Sequence, residues 1–157
     1  MNSYYLILMG FAISHLKSIM NNIEKINQVI TEFYDKMSSW EQSVVKETGH
    51  SLAQIHTIEV LGMHGSLKMK ELAEKLGITT GTLTVQVEKL VNAHLLERCA
   101  LPNDRRAIVV QLTDAGIAIH RRHNLLHVEL FKTLMREIEP DEIEVLLNCF
   151  VKMNREF

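Results

Sequence analysis

Three histidines fall in one short run, AIHRRHNLLHVELF, and imidazole is the side chain that most readily takes a divalent transition-metal ion near neutral pH. At about 100° per residue, His120, His123 and His127 lie within about 60° of one another on a helix. Phe131, Leu134 and Ile138 continue the same stripe, so the rings are expected to point inward. His123 and His127, four apart, stand on successive turns and can bring both nitrogens to one ion. A single inward histidine is more simply a hydrogen-bonded core residue; three on one stripe favour a metal, and zinc would need at least one more ligand from elsewhere.

A second group suits hydrogen bonding to base edges. Thr79, Thr80, Thr82, Thr84 and Gln86 cluster at the start of one predicted helix, where a recognition helix meets the major groove. Threonine methyls can touch thymine methyls, and Gln86 has the bidentate geometry for adenine. The same residues would also suit an ordinary exposed helix. The elements around them favour the DNA reading. Lys68–Leu76 reads as a short amphipathic helix with Leu72, Ala73 and Leu76 on one side, and Gly77 suits a left-handed helix end. Thr79 can cap a second helix in which Leu83, Val87, Leu90 and His94 share a face. Leu95–Ala100 and Ile108–Leu112 read as strands joined by a turn at Pro102-Asn103-Asp104-Arg105. This is a winged helix-turn-helix, with Arg105 and Arg106 at a wing tip able to reach phosphate or a narrow minor groove. Val85 and Glu88 lie on the outward face, outside the apolar stripe.

The stretch PNDRRAIVVQLTDAG resembles the signature of the MarR family of bacterial transcriptional regulators. Asp104, Arg105 and Arg106 stand for its wing tip, and Leu112, Thr113 and Gly116 for the start of the following helix. The likeness covers roughly residues 26 to 155. It implies a mainly α chain with a small β wing, and a homodimer built by long terminal helices. The partner it implies is double-stranded DNA with a near-palindromic operator. One branch of the family, the zinc-uptake repressors, holds zinc between the helix before the helix-turn-helix and the helix after the wing. By that resemblance His56, His123 and His127 would be ligands, with Glu41 the added carboxylate and Glu47 or His50 as alternatives. A three-histidine-plus-carboxylate shell suits zinc and not copper(I), while admitting nickel, cobalt or manganese. Zinc would then act as co-repressor, with binding weakened below about pH 6 to 6.5 because the imidazoles must be neutral. The branch's second site is not expected, since Arg122 replaces one of its acids and no cysteine lies near. The alternative effector is a phenolic or other amphipathic small molecule that releases DNA, with Phe33, Met37 and Trp40 as possible lining; oxidation of a cysteine is another.

Length and composition agree with this. The 157 residues suit one domain, and 46% hydrophobic content with two prolines and seven glycines suits a mostly helical one. Net charge is −2, but residues 98–122 hold five arginines against two aspartates, a local +3. Cys99 and Cys149 suggest a reducing cytoplasm and no disulfide framework. No nucleophile motif, phosphate loop or open metalloenzyme signature appears, so an enzyme is not expected. The domain is read as 1–157, with 67–113 the helix-turn-helix and wing, and 20–48 and 114–157 the dimerisation helices. The apolar run Tyr4–Ile13 is too short to span a bilayer, and residues 1–19 read as an extension that packs on the dimer core or makes a membrane or partner contact.

Overall fold

The computed structural model describes the backbone of residues 3–101 and 104–156 and the side chains of residues 15–100 and 108–156. The chain divides into two compact units, Met1–Leu52 and Ala53–Phe157, each described by itself. The first unit is almost wholly one helix, α1 (Ser3–Lys46). It is longer than the Ile26–Val44 periodicity requires and takes in most of the predicted extension. Ile23, Ile26, Ile30 and Phe33 on it are exposed.

The second unit runs α2 (Leu52–His64), β1 (Leu67–Lys68), α3 (Met69–Leu76), α4 (Thr80–Asn92), β2 (Leu96–Leu101), β3 (Asp104–Leu112), α5 (Asp114–Leu134) and α6 (Pro140–Met153). Punctuation residues set these boundaries. Gly77 ends α3 at φ 65°, and Thr79 and Thr113 cap α4 and α5 by accepting from the Thr82 and Gly116 amides at 3.1 and 3.2 Å. Pro140 occupies the first turn of α6, where its missing N–H costs nothing.

Ile55, Ile58 and Leu61 of α2, Leu72 of α3, Leu83, Val87 and Leu90 of α4, Leu96 of β2 and Val110 of β3 are all buried and form the core. The sheet order is β1-β3-β2, antiparallel throughout, with Leu67 facing Val110 and Cys99 facing Val109. The expected hairpin is therefore present, with an added two-residue edge strand. An irregularity between Ala100 and Leu101 breaks the β2–β3 register just before the wing tip.

Two expectations need correcting. His94 does not share the α4 face: the helix stops at Asn92, and His94 sits exposed at φ 57°. Its carbonyl accepts from the Thr113 hydroxyl at 2.7 Å, and Leu95 and Leu96 take the buried positions instead. The α5 stripe also leaves the core after His127, since Phe131 and Leu134 are exposed. At the other end of α5, Gly116 is tightly held: a Cβ there would lie 2.2 Å from the Leu95 carbonyl oxygen. The helix that carries the histidines is thus seated directly on the head. Among the described residues no helix is long and apolar enough to cross a membrane.

Candidate functional site

The outer side of α4 is polar and open. Thr79, Thr80, Thr82 and Thr84 are exposed, as is Val85, while Leu83, Val87 and Leu90 are turned inward. The Thr79 and Thr82 hydroxyls lie 3.0 Å apart at the helix start, and Thr84 donates to the Thr80 carbonyl at 2.7 Å. These bonds satisfy the hydroxyls locally and leave the methyls and second lone pairs outward. Gln86 differs from its expected role. It is half-buried, and its amide nitrogen donates to the Ala53 carbonyl and the Thr57 hydroxyl of α2. Thr57 is itself fully buried, so this contact fixes α4 to α2 and engages both amide hydrogens there.

Glu88, on the outward face of α4, meets Arg98 of β2 at 3.0 Å and ties helix to wing. Both side chains are partly exposed, so the pair contributes little stability. Arg105 and Arg106 fall on β3, with their side chains outside the described residues; Pro102 and Asn103 of the expected turn lie outside them altogether. Cys99 is half-buried and Cys149 exposed.

The histidine stripe splits. His120 packs against Gly62 of α2, where a Cβ would come within 2.4 Å of its Nδ1. That nitrogen is buried with no hydrogen-bond partner among the described residues. His123 and His127 instead face each other, with their Nε2 atoms 3.1 Å apart. Glu59 of α2 closes the group: its Oε1 is 3.3 Å from His123 Nε2 and 3.7 Å from His127 Nε2. One donor atom from each of Glu59, His123 and His127 lies within 4.8 Å of the others. His123 is 3% exposed. Burial pushes the Glu59 carboxyl up, but the neighbouring His56 and the charges of His123 and His127 outweigh it and leave it below its ordinary 4.5.

His56 does not join that triangle. Its side chain is 54% exposed, and its Nδ1 is 3.7 Å from Glu59 Oε2. The reason is helical geometry. Gly62 and Glu59 both face α5, but each step of three residues falls about 60° short of a full turn, so His56 is rotated about 120° from Gly62 toward solvent. Residue type points to His56, whereas the side chain beside the imidazole pair is Glu59. The available signal was a lone carboxylate inside the apolar run TIEVL. Glu41, the other expected ligand, is half-buried on α1 in the first unit.

The donor set fits a cation. An ion bound tetrahedrally at about 2.0–2.1 Å needs donors about 3.3–3.4 Å apart. The three edges here, 3.1, 3.3 and 3.7 Å, bracket that value.

Residues 51–108 match the MarR family. The transcriptional repressor MdtR of Bacillus subtilis is 28% identical over 101 residues, 64% of this chain and 65% of its own length. MarR of Escherichia coli, a multiple antibiotic resistance protein, is 35% identical over 77 residues, 48% of this chain and 54% of its own. The chain thus spans only 54% to 65% of these two curated relatives. A variant of Escherichia coli MarR complexed with operator DNA superposes with TM-score 0.64 at 25% identity, covering 85% of this chain and 96% of that one. FabT of Streptococcus pneumoniae reaches 0.74 at 24% identity over 84% and 94%, a likeness of fold. The named relatives are transcriptional regulators and not enzymes. With the helix-turn-helix, the wing and these likenesses in agreement, residues 51–108 are similar to the MarR family, and the fold is a winged helix-turn-helix of the kind found in that family's transcriptional regulators.

Proposed function

We propose that the protein is a homodimeric, sequence-specific DNA-binding repressor whose operator affinity is raised by zinc. The observation that carries the DNA reading is the arrangement of α4: three buried residues hold it in the core while Thr80, Thr84 and Val85 face outward. The operator complex of the MarR variant supports the same use of the fold. Apolar surface supports the dimer. No residue of α6 is buried, and Val145, Leu147 and Phe150 are exposed, as are Ile26, Ile30 and Phe33 of α1. A twofold dimer would present its recognition helices roughly 34 Å apart, so the operator should be a near-palindrome. Selection from random duplexes tests this: an enriched inverted repeat is expected, and a monomer that binds no duplex at low salt overturns it.

His123 and His127 would hold the zinc, with a carboxylate and, on the resemblance to the zinc-uptake branch, His56 and Glu41 as further candidates. Zinc, when bound, supplies a fixed cross-link between α5 and α2. In the protein itself Thr57 lies on α2 two residues before Glu59 and receives Gln86 of α4, so a fixed α2 also fixes the reading helix. Ligation favours DNA binding only by its differential affinity for the DNA-competent arrangement, about 1.4 kcal/mol per tenfold. By linkage, operator DNA should tighten zinc binding equally.

A small amphipathic effector is the second reading. An open, largely apolar recess of about 520 Å³ is lined by Asn124, His127, Val128, Phe131, Lys132 and Met135, next to the same histidine. Operator affinity that ignores chelator and zinc but falls with a phenolic acid would favour it.

A further inference from the structure

We propose that Glu59 supplies the α2 ligand of the metal site through Oε1, and that His56 is a positioning residue acting on the other oxygen. This rests on the zinc reading above and assigns a carboxylate where the resemblance puts a histidine.

The two oxygens of Glu59 have different neighbours. Oε1 faces the imidazole pair, 3.3 Å from His123 Nε2 and 3.7 Å from His127 Nε2. Oε2 faces away, 3.7 Å from His56 Nδ1. A carboxylate that ligates through one oxygen and has an imidazole at ion-pair distance from the other is biased toward a single orientation, the usual relation between a ligand and its outer partner. Burial follows the same division. The Glu59 side chain is 20% exposed and that of His123 3%, whereas His56 is 54% exposed. For His56 to ligate, its ring would have to reach past the carboxylate that already stands between it and the pair. The site is thus built from two imidazole nitrogens and an anionic oxygen, so it tolerates harder divalent ions better than three imidazoles would.

The full-length protein, stripped of metal, is titrated with zinc alone against a competing chromophoric chelator. Glu59→Gln keeps the shape and loses the anionic oxygen; its affinity should fall at least about a hundredfold, as for His123→Ala. His56→Ala should keep one zinc per subunit and lose about tenfold. Cobalt(II) gives a second readout, since its visible absorption reports ligand identity: the spectrum should change in Glu59→Gln and persist in His56→Ala. If Glu59→Gln does not fold, Glu59→Asp, which withdraws the oxygen by one methylene, should lose about tenfold or more. Zinc affinity of the Glu59 variants within threefold of wild type, with an unchanged cobalt spectrum, overturns the assignment. A hundredfold loss in His56→Ala with Glu59→Gln intact returns the ligand to His56. Wild-type affinity in His123→Ala removes the metal site altogether, leaving an internal histidine–carboxylate ion pair.

Discussion

On α4 the threonine hydroxyls are satisfied by their own helix: Thr79 receives the Thr82 amide, and Thr84 donates to the Thr80 carbonyl. On α5 the polar groups turn instead toward one another and toward a neighbouring helix, His123 and His127 meeting Glu59. Both regions are polar, yet they do opposite things. Local satisfaction leaves a rigid surface for an outside partner to read. Mutual satisfaction gathers donors about one point, where a small cation could replace the protons they share. The helix α2 borders both, through Thr57 and Glu59.

Zinc should produce the largest effect on this contrast. At about a hundredfold excess over its dissociation constant, a ligand specific to the folded state adds about 2.7 kcal/mol of stability. Urea denaturation should show that gain in wild type and its loss in His123→Ala, while Thr84→Val keeps it. If zinc stabilises both variants equally, the cluster is not the site.

The link between the regions comes next. Gln86→Ala removes one donor each from the buried Thr57 hydroxyl and the Ala53 carbonyl, which keep the bond between themselves, and should cost about 0.5–1.5 kcal/mol in denaturant midpoint terms. Were Gln86 a free reading residue, stability would be unchanged and only operator binding would fall.

Within α4 the two kinds of threonine should separate. Thr79→Ala removes the cap and should cost about 1 kcal/mol. Thr84→Val, on the exposed side, should stay within about 0.5 kcal/mol in stability yet weaken operator binding. Equal effects on folding would mean that the outer face is structural.

The smallest effect is on acid stability of the metal-free protein. The Glu59 carboxyl lies below its ordinary 4.5, so its contribution is fully present above that pH. It is lost as pH falls through the lowered folded value. Wild type should therefore lose stability below about pH 4.5 more steeply than Glu59→Gln, as followed by denaturation at fixed pH. Parallel curves would show that the carboxylate gains nothing from its neighbours.

The boundaries of the head were legible because single residues set them: Gly77, Thr79, Thr113 and Pro140 each act within one turn of the chain. The inward pair His123 and His127 was legible from a four-residue spacing on one helix. What lay beyond sequence were contacts made between elements. The strand β1 has only two residues and exists because Val109 and Val110 are there to pair with it. Gln86 looks like a reading residue until the buried Thr57 of α2 is placed beside it. Glu59 and His56 are one and two three-residue steps along the same helix from Gly62, and only the accumulated rotation decides which one meets α5.

The central claim is that zinc bound at this cluster strengthens DNA binding. Operator affinity of wild type and of His123→Ala, each measured in chelator and in added zinc, tests it directly. Wild type should bind at least about tenfold more tightly in zinc, and His123→Ala should show no difference. Equal wild-type affinity in chelator and zinc would contradict it.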